Sequence, residues 1–435
     1  MFLTRFHRCY LITARKFSFI VLCIKTSYSQ RRLLVHRRVV IGLLYVVALL
    51  LVIPPNLLRN IRYSLLYPHR NVTAVLLNSM KSANTDRIIQ AEKHFSSLNS
   101  SGVEDDRVPD GAVTVAITVI TVSRNQHKID NYEPKYLTQT VSKFLSLLDK
   151  WRPLNRSLQI RLSVCNVDDD VESYVEAIAL AKFVPMFSRF NQSHVSSVHI
   201  LEKEKQDYVF CLNGSLEIHP EADYVFLVED DALPMDGLFD LLEHVLKQHV
   251  EWSYVRGEFH PRSSTIAYVK FFHPEWLLDF ISFQPERLPE LVSYAALLST
   301  VLLTVLYVIA VAGLSIGVDY LWIKVFAWSL ILVLAYGRVG ISEWRRLALP
   351  YFYSYTPAPG CCTQALLFPR SSAAVTVNYL NNSRCQKGFA KDSALDDMLN
   401  DLQMTAYLVQ PNTFTHIGLY SAVRDHIVDP FKLLT

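Results

Sequence analysis

The segment YVFLVEDDALP, residues 224–234, places three consecutive acids directly after a run of apolar side chains. Nearly continuous apolar residues are typical of a β-strand that is buried on both faces of a sheet. The segment therefore predicts a buried strand at Tyr224–Val228. It also predicts that Glu229, Asp230 and Asp231 lie at the carboxyl end of that strand.

Further strands are predicted on both sides of this segment. Val113–Val122 is nearly continuous in apolar and β-branched residues, Leu158–Val167 ends in three aspartates, and Thr265–Phe272 is a fourth candidate. Apolar residues with helical spacing lie between the first two strands, in Thr138–Trp151. This alternation predicts an α/β fold with a mostly parallel, open sheet. Such sheets bind ligands outside the carboxyl ends of their strands.

Two more helices are predicted from apolar residues that recur on one face. Asp236 is expected to cap a helix in which Leu238 and Val245 face the core. Asp392–Tyr407 has the same kind of spacing. A short apolar run, Ala365–Phe368, follows a loop rich in proline, glycine and cysteine.

The composition excludes a disordered chain and argues against a nucleic-acid-binding protein. The chain has 435 residues, of which 51% are hydrophobic and 19% charged, and its formal net charge is +3. Residues 1–38 hold nine bases and no acid, and the remainder carries a net charge of −6. The basic excess is thus a terminal tail and not a nucleic-acid groove.

Hydropathy predicts membrane attachment at the N-terminus. Residues 39–58 are uncharged and follow the basic tail, so they predict a transmembrane signal anchor whose N-terminus is cytoplasmic. A cleaved signal peptide is the alternative. Residues 59–111 are polar and predict a lumenal neck.

Two later apolar stretches predict a transmembrane hairpin. Residues 291–318 are uncharged, and residues 320–337 contain one charge, Lys324, which can reach the membrane interface. The alternative is a single span followed by a buried helix of the soluble domain. Sequons beginning at Asn71, Asn99, Asn155, Asn191, Asn213 and Asn381 lie on both sides of the hairpin and fit a lumenal domain that it interrupts.

The acidic triplet suggests metal chemistry. Three neighbouring carboxylates repel one another, and at least one of their pKa values rises unless a cation binds among them. Mn²⁺ and Mg²⁺ prefer oxygen ligands and neutralise diphosphate oxygens, which helps a nucleoside diphosphate to leave. The alternative is an acidic surface turn with a helix-capping aspartate.

The triplet resembles the DXD-type motif of GT-A glycosyltransferases, and its context is more specific. The chain after about Val39 resembles the Golgi GPI-GalNAc transferase family. The resemblance rests on the triplet, the predicted hairpin and three further motifs: Glu204-Lys205-Gln206-Asp207-Tyr208, Gly388-Phe389-Ala390-Lys391-Asp392 and His416-Ile417-Gly418.

This resemblance implies a GT-A (Rossmann-like) domain in two parts, 112–290 and 338–435, that a hairpin at 291–337 separates. It implies a Golgi membrane protein with a lumenal catalytic domain that contacts membrane lipid. The implied donor is UDP-GalNAc, and the implied acceptor is the first mannose of the glycolipid on GPI-anchored proteins. The implied product is a β-linked sugar from an α-linked donor, so the reaction inverts.

The resemblance also suggests roles for the acidic triplet and for one histidine. Asp231 is the first candidate for direct contact with Mn²⁺ or Mg²⁺, and Glu229 and Asp230 would orient the metal or the donor. His416 is a further candidate metal ligand, with a polar loop residue as the alternative.

Donor-binding residues are expected in the loops after the first two strands. Ser123 and Arg124 follow the first strand, and Arg124 is expected to pair with phosphate or stack on uracil. Asp168 is expected to accept hydrogen bonds from uracil or ribose. Lys205 could line the same pocket, although an ion pair on a helix surface is the alternative.

The inverting reaction needs one base, and the helix after the hairpin offers three candidates. Asp392 is preferred, and Asp396 and Asp397 are its rivals. Asp396 also fits a helix-capping arrangement with Ser393.

Cysteines predict one disulfide and leave others open. Cys165 ends the second strand and Cys211 lies shortly before the third, so a bridge between them is predicted. Cys361 and Cys362 form a vicinal bridge, or one of them pairs with Cys385.

Two other functions fit the same sequence. The first is a Golgi glycosyltransferase with another nucleotide-sugar donor or glycan acceptor. The second is a membrane scaffold with an inert α/β domain, for which the acidic triplet would be dispensable.

Overall fold

A computed structural model of the chain describes residues 73–98, 113–124, 129–152, 157–192, 198–250, 266–280, 287–311, 321–422 and 426–433. The predicted cytoplasmic tail and the predicted anchor at 39–58 lie outside these residues. Part of the predicted neck is described. It contains a helix, α1, at Thr73–Ser97, whose Ala91 and Phe95 are buried in the domain core.

An eight-stranded mixed sheet forms the centre of the domain, in the order β3-β2-β1-β4-β8-β6-β9-β7. The first four of these strands are mutually parallel, while β8 is antiparallel to both of its neighbours. The strands are β1 Val113–Thr121, β2 Leu158–Asn166, β3 Met186–Ser188, β4 Tyr224–Glu229, β5 Ala232–Pro234, β6 Ile266–Lys270, β7 Ser354–Pro357, β8 Ala365–Pro369, β9 Thr405–Gln410, β10 Phe414–His416, β11 Tyr420–Ser421 and β12 His426–Ile427.

Helices cover both faces of this sheet. One face packs against α1, α2 and α5, and the other packs against α4, α9 and α10. The helices after α1 are α2 Tyr136–Trp151, α3 Val175–Leu180, α4 Ile200–Ile218, α5 Leu238–Val245, α6 Leu288–Val311, α7 Leu321–Tyr336, α8 Arg338–Arg345, α9 Arg370–Asn382 and α10 Lys391–Asp401.

The apolar patterns located the strands correctly, but they did not give the direction of every strand. The four predicted strands are confirmed as β1, β2, β4 and β6, within two residues at each end. The expectation of a mostly parallel sheet is confirmed, because six of the eight strands run in the same direction and only β7 and β8 run opposite to them. An apolar run reports that a strand is buried but carries no signal for its direction. The architecture is therefore a mixed α/β fold with a Rossmann-like parallel half.

Two predicted helix ends differ from the structure for local reasons. Asp236 does not cap α5, because Gly237 occupies the N-cap position with a φ of 82° and Asp236 accepts a hydrogen bond from Lys143. The predicted helix Asp392–Tyr407 ends at Asp401, and the chain then turns through Gln403, with a φ of 52°, into β9. Asp396 lies inside α10, so the expected capping role of this residue is wrong.

The predicted disulfide is present. Cys165 at the end of β2 is bonded to Cys211 in α4, and both residues are fully buried. Among the alternatives for the other cysteines, the structure shows the vicinal Cys361–Cys362 bridge and leaves Cys385 as a buried free thiol.

Removal of the Cys165–Cys211 bridge should destabilise the domain. The two cysteines are 46 residues apart, and loops of this length give about 2–4 kcal/mol of stabilisation through the unfolded chain. We expect Cys165→Ala/Cys211→Ala to lower the free energy of unfolding by about that amount, as measured by denaturant titration. Cys385→Ala is the matched control, since it removes a buried thiol without removing a bridge. An equal loss of stability in both variants would contradict this estimate.

The inserted segment contains two apolar helices that pack on each other. Residues Leu288–Val308 of α6 are long and apolar enough to cross a membrane. The second helix, α7, has 16 residues and passes that test only together with Arg338–Ala348, which meets it at 83°. Leu291 of α6 and Val333 of α7 are buried together beside Phe280. Of the two predicted spans, the structure thus supports one candidate by length and composition, and the hairpin stays a prediction.

Three predicted sequons lie in the described residues, and all three asparagines are exposed. These are Asn191, Asn213 at the outer face of α4 and Asn381 near the end of α9. They are accessible to a glycan on the domain as folded. Asn71, Asn99 and Asn155 lie outside the described residues.

Candidate active site

A cavity of about 470 Å³ opens where the parallel strands β1, β2 and β4 end. Its walls are the residues after β1, the acidic loop after β2, one face of α4 and the first residues of the acidic triplet. Polar side chains on these walls include Ser123, Arg124, Asp168, Lys203, Glu204, Glu229, Asp230 and Lys391. Its volume is within the range of small-ligand sites, and it lies at the edge where open α/β sheets bind ligands.

Asp230 is held by the strand next to it. Its Oδ2 accepts hydrogen bonds from the Thr121 hydroxyl and from Nη1 of Arg124, each at 2.6 Å. The Arg124 guanidinium also lies over the ring of Tyr136, 5.0 Å from its centroid. Since Asp230 directly follows β4 and Thr121 ends β1, parallel pairing of the two strands brings these groups together. Asp230 is therefore ion-paired with Arg124 at the cavity wall.

Asp231 faces a different partner, His416. His416 ends β10, which pairs antiparallel with β5, and its Nε2 lies 3.3 Å from Oδ2 of Asp231. A second Asp231 oxygen, Oδ1, is buried without a hydrogen-bond partner in another described residue. A Cβ atom at Gly418 would overlap Oδ2 of Asp231 and lie 2.9 Å from Nε2 of His416. A glycine at position 418 therefore allows the Asp231 carboxylate and the His416 imidazole to lie this close to the main chain.

Glu229 is bound to groups from the second half of the chain. Its Oε1 accepts hydrogen bonds from the Thr363 hydroxyl at 2.9 Å and from Nζ of Lys391 at 3.3 Å. Lys391 also pairs with Glu204 at 2.8 Å, and its ammonium lies over the ring of Tyr208. The Lys391 ammonium thus joins α4, β4 and α10 at the cavity.

The pKa values of the triplet reflect these different partners. Burial raises the pKa of Asp230 to about 7. The negative charge of Asp231 raises this pKa further, and the positive charge of Arg124 lowers it. Burial also acts on Asp231, but His416 and Arg124 outweigh it and lower the pKa of Asp231 to about 2. Burial raises the pKa of Glu229 as well, although Lys391 opposes it. Asp231 is therefore the acid of the triplet whose ionised form the site favours most.

The acids of the triplet face different partners in this arrangement, and their expected roles at a metal, with His416, stay a prediction. The chain leaves β4 in a turn at Asp230 and Asp231, so successive side chains point toward different neighbours. Glu229 contacts Lys391 and Asp230 contacts Arg124, and only Asp231 lies against His416. The donor set that fits a divalent cation is thus Asp231 with His416, since Mn²⁺ and Mg²⁺ accept few protein ligands when phosphate oxygens and water complete the shell.

The loops after β1 and β2 meet as predicted. The main-chain N–H of Ser123 donates to Oδ2 of Asp168 at 2.7 Å, and both residues line the cavity with Arg124. The structure therefore brings Ser123, Arg124 and Asp168 together with Glu229 and Asp230.

Lys205 lies elsewhere, and its expected place in the pocket is wrong. Its ammonium is buried against the end of α9, where it donates to the carbonyls of Leu380 and Ser383 and pairs with Glu202. Lys203 lines the cavity instead and pairs with Asp207 at 3.0 Å. Lys205 is a helix-capping cation, which explains why it is buried without reaching the cavity.

Several cavity residues were not singled out by the sequence. Thr121, Lys203, Glu204, Tyr208 and Lys391 all line it. The signal that could have found two of them is helical spacing, because Glu204 and Tyr208 share the face of α4 that carries Cys211. The predicted bridge from Cys211 to the end of β2 already directs that face toward the cavity.

The three candidate bases lie on two different faces of α10. Asp392 and Asp396 lie one turn apart on the face toward the vicinal disulfide, where Asp392 accepts a hydrogen bond from the Cys362 N–H at 3.2 Å. Burial raises the pKa of Asp396, although Lys270 opposes it. Asp397 is exposed on the opposite side. Asp392 is next to Lys391, and it is therefore the candidate nearest in sequence to the cavity wall.

Two residues that line the cavity carry a buried polar atom without a partner. These atoms are the hydroxyl of Tyr208 and Nε of Arg124, which lack a hydrogen-bond partner among the described residues. Buried polar groups are nearly always paired in folded proteins, so both atoms are available to a polar ligand. Cationic and anionic side chains on the same walls fit a ligand with phosphate, ribose and base groups.

Gly418→Ala is expected to lower the activity of this site without unfolding the protein. The added methyl would force Asp231 and His416 apart, and displacements of about 1 Å at a reacting centre can cost up to about 100-fold in rate. Gly388→Ala is the comparison: its added Cβ meets no atom within 4 Å, and its φ of 86° strains any side chain, so it should lower stability without displacing Asp231 or His416. The test is to measure activity and thermal unfolding of both variants. Full activity of Gly418→Ala would contradict the role of Gly418.

The chain matches the model of a known protein family over most of its length. The family described as GPI-N-acetylgalactosamine transferase PGAP4 matches residues 115–415, which is more than two thirds of the chain. The match begins in β1 and ends in β10, one residue before His416. It includes every other residue that the sequence singled out for the site.

Proposed function

The chain belongs to the family of GPI-N-acetylgalactosamine transferases PGAP4, and we propose that it transfers GalNAc from UDP-GalNAc to the first mannose of GPI anchors. The observation that carries this proposal is the cavity at the ends of β1, β2 and β4, which Glu229 and Asp230 line together with the unpartnered polar atoms of Arg124 and Tyr208. The acceptors are GPI-anchored proteins, as the name of the family implies.

The donor nucleotide occupies this cavity in the proposal. Asp168 and the N–H of Ser123 form one wall, where the uracil or ribose of UDP would accept and donate hydrogen bonds. Arg124 lies between this wall and the triplet, within reach of both the nucleotide and the diphosphate. Lys203 and Lys391 supply further positive charge on the opposite wall. A dianionic diphosphate is thus met by three cationic side chains.

Asp231 and His416 would hold the divalent cation. Oδ1 of Asp231 is a free carboxylate oxygen of the kind that Mn²⁺ and Mg²⁺ bind, and Nε2 of His416, 3.3 Å from Oδ2, is a nitrogen donor that favours Mn²⁺ over Mg²⁺. When bound, the cation supplies Lewis acidity to the leaving diphosphate. Arg124 pairs with Asp230 beside Asp231 and Lys391 pairs with Glu229, and each cation opposes the rise in pKa that burial causes in its acid. These two acids orient the cationic side chains that bind the donor.

Inversion at the anomeric carbon needs a base on the acceptor side. Asp392 takes this role in the proposal: its carboxylate removes the proton from the mannose hydroxyl as that oxygen attacks, while UDP leaves from the other face. The bond that forms is the glycosidic C–O bond, the bond that breaks joins the sugar to UDP, and the proton stays on Asp392 until water accepts it. No covalent sugar–enzyme intermediate is required.

We further propose the GT-A form of the fold and a Golgi membrane topology. The parallel half of the sheet and the donor cavity at its edge support the GT-A assignment. α6 and α7 insert between the two parts of the domain and would cross the membrane as a hairpin, which places both parts in the lumen. The exposed Asn191, Asn213 and Asn381 fit this orientation.

Transfer by the purified full-length protein is the test of this function. We expect UDP-GalNAc to be consumed in the presence of a mannose-containing GPI acceptor, faster than UDP-GlcNAc or UDP-galactose, and the product to be β-linked by NMR. A chelator should abolish transfer and Mn²⁺ should restore it. Preference for another donor would support a different Golgi glycosyltransferase. Absence of any nucleotide binding would favour the scaffold.

A further inference from the structure

An exposed apolar patch adjoins the end of the two apolar helices that is nearest the domain. Trp344 is 65% exposed, Leu347 86%, Tyr351 81% and Phe352 56%. These four residues, which we call the aromatic patch, lie in α8 and in the turns that follow it. Large aromatic side chains are seldom this exposed together on a protein face that only water covers.

The backbone geometry at Gly337 places this patch beside the helices. α7 ends at Tyr336, and Gly337, with a φ of 84°, turns the chain so that Arg338–Ala348 meets α7 at 83°. α8 therefore runs across the end of α7 and does not continue it. The indole N–H of Trp344 donates to the Tyr336 hydroxyl at 2.7 Å, which links the patch to the last residue of α7.

Three arginines fix α8 to the rest of the molecule. Arg338 bonds Glu290 at the start of α6 and the side chain of Gln410 in β9. Arg345 donates to the Tyr294 hydroxyl of α6. Arg346 donates to the carbonyl of Asn412, two residues before β10, and pairs with Glu343. The position of the patch is thus coupled to the strand that carries His416.

We propose that the aromatic patch is a lipid-binding surface that lies in the interface of the membrane crossed by α6 and α7. This inference rests on the membrane hairpin of the proposed function. It adds a peripheral contact, distinct from the spans, at which the catalytic domain sits on the bilayer surface.

Continuity with the apolar helices identifies a lipid surface as the occupant. α6 and α7 expose large apolar side chains along their length, among them Leu297, Val301, Tyr307 and Trp322. The aromatic patch begins where these exposed faces end, at the level of the Glu290–Arg338 ion pair. Tryptophan and tyrosine concentrate at this level in membrane proteins, because their rings bind the acyl region while their polar atoms reach water.

Depth-dependent fluorescence quenching tests the proposal on the full-length chain in bilayers. Lipids brominated near the glycerol end of the acyl chain should quench the emission of Trp344, obtained as the difference between the wild type and Trp344→Phe. The emission of Trp322, obtained in the same way from Trp322→Phe, reports on the environment of α7. The expected result is shallow quenching of Trp344 together with lipid quenching of Trp322.

The other outcomes separate the patch from the hairpin. Quenching of Trp344 by aqueous iodide only, with Trp322 still quenched by lipid, would overturn the patch and keep the hairpin. Failure of brominated lipids to quench either residue would overturn the membrane hairpin itself. Protection of Trp344 from both iodide and lipid would indicate that a second copy of the chain covers it, which also overturns the proposal.

A substrate comparison tests the consequence for catalysis. Leu347→Ser/Tyr351→Ser/Phe352→Ser should reduce transfer to a lipid-anchored acceptor by at least about tenfold and leave transfer to the free glycan unchanged, because tethering raises effective concentration only for the anchored substrate. The control replaces three exposed apolar residues elsewhere, Ile89→Ser/Ile218→Ser/Leu402→Ser, and should leave both activities unchanged. Equal losses on both substrates would contradict the lipid contact.

Discussion

Asp231→Asn is expected to reduce GalNAc transfer by about 100- to 1000-fold, the range found when one group that stabilises developing charge is removed. Asparagine keeps the shape of the side chain, so the packing against Gly418 is preserved. What is lost is the negative charge that pairs with His416 and, in the proposal, binds the cation. The rate should fall at all Mn²⁺ concentrations, and calorimetry should show weaker Mn²⁺-dependent binding of UDP.

The control for this variant lies five residues further along the same segment. Asp236 is exposed and pairs with Lys143 at the surface, so Asp236→Asn removes the same charge without touching the cavity. Its activity should equal that of the wild type. Full activity of Asp231→Asn, with unchanged Mn²⁺ and UDP binding, would mean that the acidic triplet is a structural turn. His416→Ala should then also be active, because its partner in the site would have no function.

The location of the candidate site was predictable from the sequence, because local apolar runs indicate buried strands and the polar residues after them indicate where those strands end. The apolar runs that became β1, β2 and β4 each end in polar residues, and parallel pairing brings those ends to one edge. Arg124, Asp168 and Glu229 were therefore assigned to one pocket without knowledge of any contact. Only the rule that open α/β sheets bind ligands at this edge was needed.

The partners of the individual acids were not predictable in the same way. Glu229 is held by Thr363 and Lys391, and Asp231 by His416, and these residues are more than 130 positions away along the chain. Nothing local distinguishes an acid that binds a lysine from one that is free to bind a metal. The turn at Asp230 and Asp231, which gives the three side chains different neighbours, has no signal in the local sequence.

Lys205 illustrates a different kind of error, since the sequence held the information to avoid it. Helical geometry separates Lys205 from Cys211 by about a third of a turn, whereas Glu204 lies almost directly in line with Cys211. The predicted Cys165–Cys211 bridge fixes which face of α4 meets the end of β2. That constraint selects Glu204 and Tyr208 for the cavity and turns Lys205 toward α9.

The inserted helices explain why the second half of the sheet was harder to predict. Between β6 and β8 the chain forms α6, α7 and α8, so that β8 returns beside β4 in the opposite direction. Because such a long segment separates β4 from β8 in the chain, the local sequence carries no signal that these two strands pair. This pairing nonetheless completes the site, because Thr363 lies just before β8 and Lys391 follows α9. The candidate membrane helices are thus followed, in the second half of the chain, by residues that contact the acidic triplet.

Asp392→Asn should separate the chemical step from donor binding. General base catalysis contributes about 100- to 10,000-fold, so kcat for transfer to the GPI acceptor should fall by that factor. The affinity for UDP should stay close to that of the wild type, because Lys391 and Glu229 keep their contacts with each other. Slow hydrolysis of UDP-GalNAc without acceptor should persist for the same reason.

The same helix provides both a rival and a control for this assignment. Asp397 is exposed on the far side of α10, and Asp397→Asn should be fully active. Asp396 lies one turn after Asp392, near Gly360 and the N–H of Cys361, and burial raises the pKa of Asp396. A collapse of kcat in Asp396→Asn with a normal rate in Asp392→Asn would transfer the role of base to Asp396. Because both variants keep the donor cavity, UDP binding distinguishes a lost base from a distorted site in either case.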